Sequence, residues 1–167
     1  MVSTTRQAPK QTLGDRWEAA CELAAHRNEI SEPLPDGMQV VDVLQQLNVD
    51  ESSLIAALLA DRRCADISPE VIAAKLGNDV ASLVKNVRLL NNFRPCREDH
   101  PGLPEQAERL RRLLLAITND VRAVLVKLAY RLAHLRLLDQ ESDAQRRCLA
   151  QETIDIFAPL ANRLGVA

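Results

Sequence analysis

The sequence is poor in aromatic residues: one Trp, one Tyr and two Phe make up 2% of its 167 residues. Leu and Ala dominate instead, and Val and Ile recur at helical rather than alternating spacing, a composition that favours helix over sheet. A charge excess is also missing. The formal net charge is -2, and Lys and Arg are spread along the chain, so no basic face marks nucleic acid or anionic lipid as a partner. The four cysteines, Cys21, Cys64, Cys96 and Cys148, stand dozens of residues apart with no CxxC pair. That spacing excludes a zinc ribbon and a dithiol redox motif, and reduced thiols are the expectation. No apolar run approaches the ~20 residues that span a bilayer, and MVSTTRQAPKQT lacks the apolar segment of a signal peptide. A soluble, cytoplasmic protein without a membrane partner is expected.

What is present suffices for one core. A chain of this length with 47% hydrophobic residues has the size of a single domain, expected over 13–167 behind a disordered polar tail over 1–12. A first helix is predicted from Gly14 to Asn28. EISEPLPDG, with two prolines and a glycine, is a connector. A second helix follows from Met38 to Leu47, and Asp50 stands as the N-cap of a third. Ser68-Pro69-Glu70 opens a short helix that Gly77 stops. Asn78 to Leu90 carries Val80, Leu83, Val84 and Val87 at the 3-4 spacing of a buried stripe. NNFRPCREDHPGLP (91–104) reads as a surface loop. Helices are predicted for Pro104 to Thr118, Asn119 to Leu138 and Ser142 to Arg163. The one beginning at Asn119 is apolar around much of its circumference, which predicts the central position. The expected fold class is all-α, a bundle of about seven to nine helices.

One stretch asks for a function. In AALLADRRCAD (Ala56 to Asp66) a smooth apolar run delivers the chain to a single acid, Asp61, then to two arginines and a cysteine. The bland readings are a solvated pair for Arg62 and Arg63, and a cap or salt-bridge role for Asp61.

Three segments around it carry a resemblance. DESSLIAALLAD (Asp50 to Asp61), LRRLLLAITNDVRAVLVKLAYRLAHLR (Leu110 to Arg136) and QETIDIFAPLANRLGV (Gln151 to Val166) resemble, in order and spacing, the N-terminal hydrolase region of the long RelA/SpoT homologues. Those proteins make and degrade the alarmone (p)ppGpp. The last segment is similar to the family pattern ETxxIYxPLAxRLGI. The resemblance implies an HD-type helical fold built to hold a divalent metal, usually manganese. The ligands would be a His after a turn, an adjacent His-Asp pair and a later Asp in KLADR, with a Glu-Asp pair to orient water.

Placed on this chain, most of those positions hold other residues. The first His falls at or beside Asp36. The His-Asp pair falls on Ala60 and Asp61, the Glu-Asp pair on Cys64 and Ala65, and the KLADR aspartate on Tyr130. One of four metal positions, Asp61, keeps its residue. A site short of two imidazoles and a carboxylate has too few donors to dehydrate a cation, and a phenol is a poor ligand at neutral pH. No metal or other cofactor is therefore expected. A rebuilt site from Asp36, Asp61, Cys64, Asp66 and His134 is the alternative. His134 alone reads as a helix histidine with one hydrogen bond. Lys127 and Arg131, four apart on one face, read as salt-bridge residues or, with His134, as vestigial nucleotide contacts.

The resemblance thus implies a silent hydrolase domain of a RelA-type GTP pyrophosphokinase, regulatory in role. Its partner would be a synthetase domain that follows it in a longer chain, with a guanine nucleotide as a further ligand and no direct nucleic-acid binding. Two other readings are a manganese-dependent (p)ppGpp 3′-pyrophosphohydrolase with unorthodox ligands, and a module that senses (p)ppGpp without cleaving it.

Overall fold

A computed structural model describes residues 14–91 and 120–166. All regular structure among them is helical: α1 (Asp15–Ala24), α2 (Gly37–Gln45), α3 (Glu51–Leu59), a 3-10 turn (Arg62–Cys64), α4 (Pro69–Leu76), α5 (Asn78–Asn91), α6 (Val121–Leu135), a second 3-10 turn (Leu138–Gln140), α7 (Asp143–Glu152), a π turn (Thr153–Phe157) and α8 (Ala158–Leu164). The all-α class agrees with the sequence reading. The helix predicted over Pro104 to Thr118, the tail over 1–12 and, beyond Asn91, the loop of 91–104 lie outside the described residues. No described helix is long and apolar enough to cross a membrane.

Among the described residues α3 is the most completely buried helix, and the helix beginning near residue 120 packs on α2, α3 and α5 beside it. Every residue from Ser53 to Leu59 is buried, and α1, α2, α5 and α6 all pack on it. The reason is side-chain size: Ala56 and Ala57 let neighbours approach closely, while Leu54, Ile55 and Leu59 fill the gaps between them. α6 contributes a stripe, Ala123, Val124, Val126, Ala129 and Ala133, and exposes Leu132 on its far side. α1 ends at Ala24, short of the predicted Asn28, because the Asn28 N–H leaves the helix direction to bond the Arg63 carbonyl at 2.8 Å. Ser68 caps α4, and Gly77 ends it at φ 98°, a conformation that favours glycine. The predicted Ser142 to Arg163 helix is interrupted by the π turn, where the Thr153 hydroxyl donates to the Leu149 carbonyl.

Cys21 and Cys64 carry free thiols, whereas Cys148 is disulfide-bonded, a departure from the expectation of four reduced thiols. Spacing along a chain excludes a local motif but says nothing about which distant cysteines the fold brings together.

Helix N-termini are tied to one another by charge. Asp50 accepts the Ser53 N–H at 2.7 Å and caps α3; Asp120 accepts the Arg122 N–H at 3.0 Å and caps α6. The Arg122 guanidinium then reaches both carboxylates, Asp120 at 2.8 Å and Asp50 at 3.2 Å. The hydrogen bond from Arg122 holds the Asp120 carboxyl below its ordinary 3.8. At Asp50 burial pushes upward, but the bonds from Ser53 and Arg122 outweigh it and the net direction is also down. A carboxyl whose folded pKa is depressed stabilises the fold above its unfolded value and loses that contribution as pH falls through the folded one. Urea midpoints should therefore stay level from neutral pH down to about 4.5 and fall steeply below about 3.8. Replacing Asp120 with Asn should flatten that fall, and an unchanged acid limb in the variant would refute the assignment.

Candidate functional site

The apolar run of α3 ends on Ala60, its C-cap, and the chain then turns at Asp61. Only 3% of the Asp61 side chain is exposed, so a charge there requires partners. It has three. One carboxylate oxygen accepts the Arg63 N–H at 2.9 Å, capping the 3-10 turn; the other accepts the Gly37 N–H at 2.7 Å. The Arg63 guanidinium lies 3.2 and 3.3 Å from the two oxygens. Asp61 is thus the cap and ion-pair partner that the sequence suggested. Arg63 is not solvated: it is mostly buried and also donates to the carbonyls of Leu34 at 3.2 Å and Pro35 at 3.4 Å. Arg62 is exposed and pairs with Glu32 at 2.7 Å.

Gly37 begins α2, and its backbone lies against that of Leu58. A Cβ at this position would stand 2.7 Å from the Leu58 carbonyl oxygen and 2.9 Å from its Cα. Only glycine permits this approach, which aims the N-terminus of α2 at Asp61. Asp36 does not join the corner. Its carboxylate accepts the Gln39 N–H at 2.9 Å, while the Gln39 side chain accepts the Asp36 N–H at 2.9 Å, a capping box that starts α2 one residue before the predicted Met38.

The floor of the corner comes from α5 and α6. Gly37, Ala60, Asp61, Asn91, Val126 and Tyr130 surround a cavity of about 10 Å³, room for no more than one water. Burial pushes the Tyr130 hydroxyl up to about 12, so the ring stands neutral where the resemblance places a carboxylate. The Lys127 Nζ sits 5.0 Å from that ring's centroid and 3.1 Å from the Asn91 Oδ1. Arg131 pairs with Glu152 and stacks over Phe157, its Cζ 4.3 Å from the ring centroid. His134 bonds Glu141 at 3.0 Å, with Tyr130 edge-on at 6.1 Å. Lys127 and His134 thus share the Tyr130 ring but bond different polar groups, Asn91 and Glu141, while Arg131 pairs with Glu152.

Cys64 is buried, and burial raises its thiol pKa, which leaves it protonated at neutral pH; Ala65 is exposed. Among the described residues no three of His, Cys, Asp and Glu converge in a way that could hold a metal ion. Asp66 is bonded by the Asn28 side-chain amide at 2.7 Å, Asp36 serves its own helix, and His134 belongs to Glu141. Among the described residues the donor set does not fit a divalent cation: the one carboxylate at the corner, Asp61, is occupied by a helix N-terminus and a guanidinium.

Two residues that organise this corner escaped the sequence reading. Gly37 looked like part of a connector. Arg88 donates from α5 to the carbonyls of Ile67 at 2.8 Å, Leu59 at 3.0 Å and Cys64 at 2.8 Å, tying the end of α3 to the turn after it. A signal existed: Arg88 stands four residues after Val84, on the apolar stripe, where a charge has to find buried partners.

Comparison with known proteins places the chain. The HD domain model matches residues 17–167. GTP pyrophosphokinase of Escherichia coli K12 is 34% identical over 99% of this chain and 23% of its own length. A probable guanosine-3′,5′-bis(diphosphate) 3′-pyrophosphohydrolase of Synechocystis is 42% identical over 86% of this chain and 19% of its own. GTP pyrophosphokinase of Myxococcus xanthus is 38% identical over 78% and 17%. The chain spans about a fifth of the length of these curated relatives. With one all-helical fold, a corner at the end of α3 and this similarity along most of its length, the chain belongs to the HD-domain family, among the RelA/SpoT-type proteins.

Proposed function

We propose that this domain is a hydrolase-like module without hydrolytic activity, retained for the contacts its bundle makes within a longer GTP pyrophosphokinase. The observation that carries the reading is Asp61. Its two oxygens are engaged by Gly37 and Arg63, beside a cavity too small for a hydrated ion. Hydrolysis of a 3′-pyrophosphate needs an activated water and a group to take its proton. Cys64 and Ala65, at the positions of the proton-handling pair, offer a protonated thiol and a methyl group. The similarity to GTP pyrophosphokinases supports a parent protein that transfers pyrophosphate to GTP or GDP, with the neighbouring synthetase domain as the partner that this bundle packs against.

A second reading keeps an active, manganese-dependent hydrolase, and the 42% identity to a probable hydrolase favours it. Incubating the purified chain with ppGpp and Mn²⁺ separates the two. The expected result is no GDP or pyrophosphate above the enzyme-free control. Turnover abolished by chelation would overturn the proposal. Calorimetric titration with ppGpp in the same preparation addresses a non-cleaving sensor, for which saturable heat without product is the signature.

A further inference from the structure

We propose that Asp61 and Arg63 form a latch that holds the 28–36 connector closed over the corner, supplying from the protein's own side chains the cross-link that a bound cation would otherwise give. The inference rests on the reading that the corner has no catalytic metal.

The connector has little to hold it by itself. It contains no helix, and Pro33 and Pro35 lack N–H groups, so along this stretch the backbone is richer in acceptors than in donors. The turn from Asp61 to Arg63 supplies what is needed. Arg63 donates to the carbonyls of Leu34 and Pro35, Arg62 pairs with Glu32, and the Arg63 carbonyl accepts the Asn28 N–H. Each end of the connector and its middle are thereby tied to one three-residue turn.

The geometry of arginine is what makes this a single device. The planar guanidinium presents five donors in a fixed fork, enough to span a carboxylate and two carbonyls at once. Asp61 sets its direction, because the carboxylate is itself fixed by the N-terminus of α2. Removing the guanidinium takes the donor from the Leu34 and Pro35 carbonyls together, and neutralising Asp61 removes the charge that aims it at them. A lysine at 63 keeps the charge but not the fork, so it satisfies Asp61 or the carbonyls, not all of them.

The test is amide hydrogen exchange, followed by mass spectrometry, on the whole 167-residue chain and its Asp61→Asn, Arg63→Met and Arg63→Lys variants. Peptides covering 26–37 should exchange roughly tenfold faster in Asp61→Asn and Arg63→Met, and by an intermediate factor in Arg63→Lys. Peptides from α5 should keep wild-type rates. Mn²⁺ or chelator should leave the wild-type pattern unchanged. Wild-type rates over 26–37 in Arg63→Met overturn the latch, as does slowing of this segment by Mn²⁺ in the unmodified chain. If Asp61→Asn unfolds, α5 reports it and Arg63→Met decides; acceleration spread over the whole bundle in every variant also refutes a local device. Hydrolysis of ppGpp is scored separately: turnover sinks the functional reading, whereas unchanged connector exchange sinks the latch.

Discussion

Replacing Arg88 with Met should cost about 3–5 kcal/mol of stability, since three backbone carbonyls lose their donor and each buried, unpaired acceptor costs about 1–3 kcal/mol. The guanidinium holds the carbonyls of Leu59, Cys64 and Ile67, which lie on both sides of the turn at Asp61. Met keeps much of the volume, so the loss reports hydrogen bonding rather than a cavity. Burial disfavours the charged form of Arg88 and lowers its pKa, yet an arginine stays protonated at any pH where the protein folds. The effect should therefore be independent of pH across the neutral range. For a chain of this length such a loss lowers the thermal midpoint by roughly 10 °C. Arg88→Lys should recover only part of it, because one ammonium cannot reach three carbonyls in different directions. A loss below about 1 kcal/mol for Arg88→Met would mean that water replaces the guanidinium at these carbonyls.

Gly37→Ala should destabilise by about 2–4 kcal/mol, although alanine is the better helix former by about 1 kcal/mol. The added Cβ would meet backbone, the Leu58 carbonyl oxygen at 2.7 Å and Cα at 2.9 Å, and backbone inside the buried helix α3 cannot step aside as a flexible side chain would. The helix has to retreat, which lengthens the Gly37 N–H bond to Asp61 and leaves one of its buried oxygens short of a donor. Chemical denaturation compares this variant with Gly165→Ala, where an added Cβ meets nothing within 4 Å. At Gly165 the expected loss is the smaller one of a left-handed φ of 71°, about 1 kcal/mol. If Gly37→Ala proves neutral or stabilising, α2 and α3 are not in backbone contact, and the aim of α2 at Asp61 needs another cause.

Helix identity was legible because it depends on neighbours along the chain. Asp50, Ser68, Pro69 and Gly77 act locally as caps and stops, and their predicted places agree with the fold. The stripe Val80, Leu83, Val84 and Val87 is buried as its spacing implied.

What escaped depends on partners far away in sequence. That α3 is buried on every side from Ser53 to Leu59 is decided by which face each neighbour covers, and a periodic stripe does not contain that information. Arg62 and Arg63 look alike in the chain, yet one is exposed beside Glu32 and the other is mostly buried against Asp61 and two carbonyls of the connector. The role of Gly37 is a distance to Leu58, and that of Arg88 is a convergence of three carbonyls from two segments. The sequence by itself determined an all-helical chain of HD-type pattern in which one acid stands alone at the end of an apolar helix. Only the tertiary structure decided what that acid does: by bringing the N-terminus of α2 and the Arg63 guanidinium to Asp61, the fold satisfies a buried charge with its own donors, because a carboxylate that deep requires partners from wherever packing places them.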